Sequence, residues 1–155
     1  MNKLGQFITT VVIGAFAVAL VAMVVLSSGR AANPVKGSFA TALAAIKEQN
    51  LQATALSPAD VYGDDWVGAT VVCPGATAEE VASLLQVNPE GLHMEETVPD
   101  NKNYLVVVNV EGDAYAEGMD RADVDLCSVQ ILPAFDAKLM VPLIQNEQGA
   151  WMLSA

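Results

Sequence analysis

The stretch YLVVVNV, from Tyr104 to Val110, carries the strongest structural signal in this 155-residue chain. Nearly all of it is apolar and most of it is β-branched, which predicts a central strand buried on both faces. Further along, Leu126–Leu132 and Leu139–Gln145 read as strands, and Trp151–Leu153 completes a hairpin with the second of them. Pro142 cannot donate a backbone hydrogen bond, so we expect its strand to be an edge strand or to be bulged.

Two helices and a further strand are predicted before this stretch. Ser38 is placed to cap a helix that runs to about Asn50. Trp66–Cys73 alternates like a strand, and Thr77-Ala78-Glu79-Glu80 is a capping box that opens a helix to about Gln86. Helices early and strands late indicate an α+β domain with a mostly antiparallel sheet and about two helices on one face. The connecting segments read as loops, namely Leu51–Asp65, Asn88–Asn103 and Glu111–Asp125.

The amino-terminal part of the chain has a different composition. Phe7–Leu26 is an uncharged, apolar run of 20 residues, which spans about 30 Å as a helix, the thickness of a bilayer's hydrocarbon core. We therefore expect a cytoplasmic tail at 1–6, a transmembrane helix at 7–27, a linker at 28–36 and an acidic extracytoplasmic domain at 37–155. The alternative is a cleaved signal peptide with a small-x-small site at Gly29-Arg30-Ala31, although its apolar core would normally be only about 7 to 15 residues long.

Only a few residues indicate the orientation of the predicted transmembrane helix and the face through which it would pack. Lys3 and the amino terminus precede the helix, while Arg30 and Lys36 follow it. Because two positive charges lie on each side, the positive-inside rule favours neither orientation clearly. The order of tail, apolar run and domain favours a single-pass protein with a cytoplasmic amino terminus. Small side chains let helices approach closely in lipid, although they are common in any span. The predicted membrane-helix interface consists of Thr10, Gly14, Ala15, Ala19 and Ala22.

The net charge of −11 is concentrated in the part after the apolar run. Only Lys3 among the seven basic residues precedes the run, and every acidic residue follows it, so the remainder is near −12. Such a surface repels nucleic acid and anionic lipid, keeps the domain soluble, and can attract a basic carrier protein or a divalent cation. We expect a solvated acidic loop, with a docking loop or a metal site as alternatives. Its acidic residues are Glu111, Asp113, Glu117, Asp120, Asp123 and Asp125.

The residues that commonly carry chemistry are few. In an extracytoplasmic domain, Cys73 and Cys127 are expected to form a disulfide; two buried free thiols, or a reactive thiol at Cys73 ahead of a helix, are the alternatives. His93 is the only histidine, and with Met94 beside it a copper site is the alternative to a surface histidine. A His-based zinc site, a GxSxG motif and a glycine-rich phosphate loop are all lacking, so we predict no enzyme and no cofactor.

Interaction is the remaining class of function. The chain is rich in Ala and Val and poor in Lys, and it combines a short tail, an apolar span, an acidic outer domain and two cysteines. This order of parts resembles the single-span envelope proteins of high-GC Gram-positive (actinobacterial) bacteria, such as accessory subunits of respiratory supercomplexes. The resemblance implies a non-catalytic accessory or assembly subunit that packs onto a larger membrane protein complex. The alternative is an independent anchored module that binds a small ligand or cation in the cell envelope.

Overall fold

A computed structural model describes residues 36–129 and 134–154 of the chain. The described part contains two four-stranded sheets, three α-helices and one 3-10 helix, so the predicted α+β class is confirmed. The helices are α1 (Phe39–Glu48), α2 (Pro58–Tyr62), α3 (Ala78–Leu85) and the 3-10 helix Pro89–Leu92. The strands are β1 (Ala53–Leu56), β2 (Trp66–Val72), β3 (Lys102–Asn109), β4 (Ala114–Asp120), β5 (Val124–Asp125), β6 (Phe135–Asp136), β7 (Val141–Gln145) and β8 (Trp151–Leu153).

The predicted central strand is β3, which lies between β4 and β2 in a sheet of order β4-β3-β2-β6. All pairs in this sheet are antiparallel. Leu105 and Val107 of β3 belong to one apolar cluster, and Tyr104 and Val106 belong to another. The strand is therefore buried on both faces, as its continuous apolar sequence predicts.

The two helices with predicted caps lie on opposite faces of the β3 sheet, which corrects the prediction of a single helical face. Phe39 and Leu43 of α1 join the larger cluster, together with residues of both sheets. Val81 and Ala82 of α3 join the smaller cluster on the opposite face. Because β3 has apolar side chains on both faces, both faces must be shielded from water. Helix α1 packs on one face and helix α3 packs on the other. Both caps are confirmed: Ser38 caps α1, and Thr77 with Glu80 forms the capping box of α3.

The second sheet has the order β1-β7-β8-β5, with antiparallel pairs except for the parallel pair of β5 with β8. The predicted hairpin of β7 with β8 is confirmed. The edge or bulged position predicted for Pro142 is wrong, because β7 lies between β1 and β8 and its register with each of them is continuous. The proline fits there because its carbonyl accepts a hydrogen bond from Ser154 N (3.0 Å), where β8 has already ended. The N–H that proline lacks would therefore point to a position beyond the last residue of β8, so its absence does not interrupt the hydrogen bonds between β7 and β8.

The predictions for four segments need correction. Leu51–Asp65, predicted as a loop, contains β1 and α2, and Asn88–Asn103 contains the 3-10 helix and the start of β3. Glu111–Asp125 contains β4 and β5. The strands form because β1 pairs with β7 and all seven residues of β4 pair with β3. β4 is rich in Ala, Gly and acidic residues, and two of the four residues of β1 are Ala, so pairing with a neighbouring strand decides their conformation rather than propensity. The strand predicted at Leu126–Leu132 is replaced by the short β5, which ends at Asp125; Leu126–Val129 is turn and bend.

The apolar run Phe7–Leu26, with the predicted interface on it, lies outside the described residues. Within 36–129 and 134–154, none of the helices is long and apolar enough to cross a bilayer. The chain divides into two units, Met1–Ala32 and Asn33–Ala155, and all of the described residues belong to the second.

Gly118 on β4 is required by its cross-strand neighbour Tyr104, whose ring lies over it. A Cβ at position 118 would lie 2.8 Å from Tyr104 Cε1, and the ring is buried and cannot simply swing away. We expect Gly118→Ala to lower the free energy of unfolding by about 1–3 kcal/mol through overpacking. Gly91→Ala is the matched control, since its Cβ would meet nothing within 4 Å. Urea unfolding of both variants, followed by tryptophan fluorescence, measures the difference; equal stabilities would contradict this explanation.

Candidate functional site

Glu117 on β4 is a buried carboxylate with only 8 % of its surface exposed. Its Oε1 accepts hydrogen bonds from Ser38 Oγ (2.8 Å) and Ala40 N (2.9 Å). Its Oε2 accepts from Phe39 N (2.9 Å) and the Tyr62 hydroxyl (2.8 Å). A carboxylate offers about four lone-pair positions, and four donors occupy them. The geometry therefore defines a structural centre, because no acceptor position is left for a substrate.

The location of Glu117 is explained by the start of α1. The first turn of this helix has no acidic residue of its own, although its free N–H groups favour a negative charge. Glu117 supplies that charge from a strand 78 positions further along the chain. Ser38 also accepts from Thr41 N (3.2 Å), so one short segment is held by both a local cap and a distant carboxylate. The amino-terminal end of α1 is thereby fixed to the β3 sheet.

Two tyrosines flank the carboxylate and remain neutral. Burial, and then the charge of Glu117, raise the pKa of Tyr62 far above its usual value of 10. The same two causes, in the same order, raise the pKa of Tyr115. The two rings meet edge to face, with centroids 5.6 Å apart. Both hydroxyls therefore keep their protons, and neither adds a second negative charge beside the buried carboxylate.

The six acidic residues that were predicted to share one loop are divided among separate places, so the loop assignment is wrong. Glu117 is buried, and the others lie at the two ends of β4, whose seven residues span roughly 20 Å. No single docking surface is formed by all six. A docking role for the other five residues, of which Asp113 and Asp125 are only partly exposed, stays a prediction. The two groups are Glu111 with Asp113, and Asp120 with Asp123 and Asp125.

The second acidic group is partly neutralised by Arg121. Its guanidinium donates to both carboxylate oxygens of Asp125 at 3.1 and 3.0 Å and to Asp100 O at 3.0 Å. The hydrogen bond to Asp125 raises the pKa of Arg121. Among the described residues, no group of three or more His, Cys, Asp or Glu is arranged to hold a metal ion. His93 is exposed, in a left-handed backbone conformation (φ 50°) after the 3-10 helix.

Cys73 and Cys127 form the predicted disulfide. Their Cα atoms are 5.8 Å apart, and the described residues contain no free cysteine, so the reactive-thiol and free-thiol alternatives are wrong. The bond joins the residue after β2 to the turn after β5, and these strands belong to different sheets. The disulfide therefore crosslinks the two sheets.

The outer face of the second sheet is an apolar surface that the sequence analysis missed. Strands β1, β7 and β8 contain no charged residue, although the chain has 18 acidic residues. Ala53 pairs with Ile144, which pairs with Met152, and Ala55 pairs with Pro142 on the same face. All of these side chains are exposed except that of Met152, which is partly buried. We call this surface, consisting of Ala53, Ala55, Pro142, Ile144 and Met152, the apolar face.

An antiparallel sheet with one face in water normally alternates apolar residues inside with polar residues outside. The inner side of this sheet follows the rule, because Val141, Leu143 and Trp151 are buried in the larger cluster. The outer side does not, and Ile144 is 42 % exposed. Contiguous exposed apolar patches mark interaction sites more often than scattered residues do. The available sequence signal was the absence of charge from the strands at both ends of the domain.

A groove of about 320 Å³ lies between α1 and the strands β5 and β8. Its wall on the helix is formed by Ala40, Leu43 and Lys47, and its opposite wall includes Asp123 and Trp151. The Lys47 ammonium group already donates to Gly149 O (2.8 Å). Small-molecule sites usually have several polar groups that converge on the ligand. This groove is mostly apolar and is the second candidate for a binding site.

Comparison with known proteins provides no relative: no family model, curated protein or solved structure matches this chain.

Proposed function

We propose that this protein is a non-catalytic, single-pass membrane subunit that assists the assembly of a larger membrane protein complex, such as a respiratory-chain complex. The amino terminus lies in the cytoplasm and the acidic domain lies outside. The apolar face binds an uncharged, apolar surface on the extramembrane part of a partner subunit. The single observation that carries this proposal is the exposure of that face in a strongly acidic domain.

Charge is the reason for assigning the apolar face to a protein surface. The domain is strongly acidic, but strands β1, β7 and β8 contain no Asp or Glu. An uncharged partner can therefore pack against these strands without removing water from a charged group. Interface cores are similarly depleted of charged residues. The exposed acidic groups outside the face suit a second role, the steering of a basic carrier protein, because charge raises association rates more than affinity.

The amino-terminal segment explains how a small apolar face can suffice. A stable interface between free proteins buries about 800 Å² on each partner. A transmembrane helix that packs through Thr10, Gly14, Ala15, Ala19 and Ala22 would hold the domain beside the same partner. The second contact then forms at a high effective concentration, about millimolar for a short flexible linker. Two modest contacts on one chain therefore give a lasting complex.

The first test is purification of the tagged full chain in a mild detergent, followed by mass spectrometry and sizing. We expect one set of membrane proteins to be recovered in constant ratio to the tagged chain. Treatment of intact cells with protease should remove the domain and leave the tail protected. Recovery of the chain alone as a monomer would contradict the assembly role.

The apolar face is tested by one substitution on it and a matched one elsewhere. We expect Ile144→Lys to reduce partner recovery at least tenfold, because it places an ammonium group in an uncharged contact. Val110→Lys is the control, since Val110 is 81 % exposed in the β3–β4 turn. It should leave recovery unchanged. Quantitative mass spectrometry with equal loading of the two variants measures the ratio, and equal recovery would exclude the apolar face as the contact.

The second candidate function is an anchored module that binds a small ligand, and the groove beside α1 is the observation that favours it. A thermal-shift screen with calcium, copper and cell-wall fragments distinguishes the two functions. A shift that Trp151→Phe or Leu43→Ala abolishes would support the ligand-binding module. Partner recovery in the absence of any shift would support the assembly subunit.

A further inference from the structure

A second exposed apolar cluster lies at the end of the domain where the chain enters it. Leu139 is 46 % exposed, Met140 is 51 % exposed and Val67 is 40 % exposed. They belong to one neighbourhood, because Ala137 N donates to Val67 O (3.0 Å) and Leu139 N donates to Asp136 O (2.8 Å). We call Val67, Leu139 and Met140 the apolar tip.

The short helix α2 locates the tip relative to the entry of the chain. At the carboxyl end of α2, Tyr62 O accepts from Lys36 N (3.1 Å), which is the first described residue. At its amino end, Ala59 N donates to Ala137 O (2.8 Å), two residues before Leu139. A helix of five residues is only about 7.5 Å long. The apolar tip and Lys36 are therefore at the same end of the domain.

We propose that the apolar tip contacts the interfacial layer of the bilayer that anchors the chain, and that Leu139 and Met140 insert among the lipid chains. This inference depends on the membrane anchor of the proposed function. The apolar run ends at Leu26, so only nine residues separate it from Lys36. Even fully extended, nine residues reach only about 30 Å. The end of the domain that carries Lys36 is therefore tethered within about 30 Å of the end of the apolar run.

The short linker and the small size of the apolar tip favour a lipid surface over a protein as its binding partner. Three side chains are too few for an interface between proteins, which needs about 20 to 30 residues on each side. A lipid surface requires no matching shape, and a short linker holds the tip near it at about millimolar effective concentration. A weak apolar insertion is therefore enough to orient the domain, as it is for interfacial segments that bury a few apolar side chains.

The charges around the apolar tip indicate which lipid headgroups it prefers. Lys36 and Lys138 are exposed there, but the same end carries more acidic than basic side chains. Anionic headgroups would be repelled by this surplus, so the contact is expected to be stronger on zwitterionic lipid. A basic membrane-binding surface would show the opposite preference. The exposed acidic residues at this end are Asp60, Asp64, Asp65 and Asp136.

The test uses the full chain, with its disulfide intact, reconstituted into phosphatidylcholine vesicles. Met140→Cys carries an environment-sensitive fluorophore, and Val110→Cys in the β3–β4 turn is the matched control. Brominated lipids quench a fluorophore that reaches the acyl chains. We expect blue-shifted emission at position 140 and quenching at least threefold greater than at position 110. Including 30 % phosphatidylglycerol should reduce this difference.

Several results would overturn the inference. Equal quenching at both positions, with the chain still resistant to carbonate extraction, would overturn the bilayer contact and leave the anchor intact. Release of the chain by carbonate would overturn the anchor, and with it the proposed function. Shielding of position 140 only in native membranes, where other proteins are present, would assign the tip to a partner protein. The labelled variants are compared at equal unfolding midpoints, so that misfolding does not imitate a lost contact.

Discussion

Replacing Glu117 by alanine is expected to lower the free energy of unfolding by about 3–5 kcal/mol, a large part of the total stability of a small domain. The substitution removes the acceptor of four donors at once. Phe39 N and the Tyr62 hydroxyl are buried, and each buried donor left without a partner costs roughly 1–3 kcal/mol. The amino end of α1, which has no acidic residue in its own first turn, would also lose the negative charge that Glu117 supplies.

Urea unfolding, followed by the fluorescence of the buried residues Trp66 and Trp151, measures this loss. Glu117→Gln keeps one acceptor oxygen and should fall between the wild type and Glu117→Ala. Glu111→Ala is the matched control, because Glu111 is exposed in the turn before β4, and it should change stability by less than about 0.5 kcal/mol. Equal effects of Glu117→Ala and Glu111→Ala would refute the structural role of the buried carboxylate.

Removal of the disulfide is the second large effect. The double variant Cys73→Ser, Cys127→Ser should lose about 4 kcal/mol, the value that chain entropy predicts for a closed loop of this length. The sequence separation of the two cysteines is 54. Because the bond joins the two sheets, we expect the β1-β7-β8-β5 sheet to lose protection against hydrogen exchange before the β3 sheet does.

The disulfide prediction has an internal check. The wild-type chain after reduction should unfold at the same urea concentration as the double serine variant. Thiol labelling of the denatured, unreduced chain should detect no free cysteine. Two labelled thiols, or a reduced chain that is as stable as the oxidised one, would contradict the stabilising crosslink.

Local patterns predicted those parts of the fold in which neighbours in sequence decide the structure. The continuous apolar sequence from Tyr104 to Val110 predicted the central strand, and Thr77 with Glu80 predicted the start of α3. The strand-like segments Leu139–Gln145 and Trp151–Leu153 predicted the carboxyl-terminal hairpin. The hydrophobic pattern of a strand and the cap of a helix both depend only on residues that are close together in sequence.

Contacts between distant residues could not be read in the same way. Glu117 looks like one more member of an acidic loop, yet it caps a helix from 78 positions away. No local pattern encodes that pairing, and β4 itself has Ala, Gly and acidic residues that oppose a strand assignment. The apolar face was missed for a similar reason, because it forms only when β1 pairs with β7 across the length of the domain.

The most direct measurement of the proposed function is site-specific photo-cross-linking in living cells. A photoreactive amino acid replaces Ile144 on the apolar face or, as a control, Val110 in the β3–β4 turn. We predict that position 144 yields one discrete crosslinked membrane protein, also recovered by mild-detergent purification, and that position 110 yields none. Equal, diffuse crosslinking at both positions, or none at position 144, would contradict an assembly role for the apolar face.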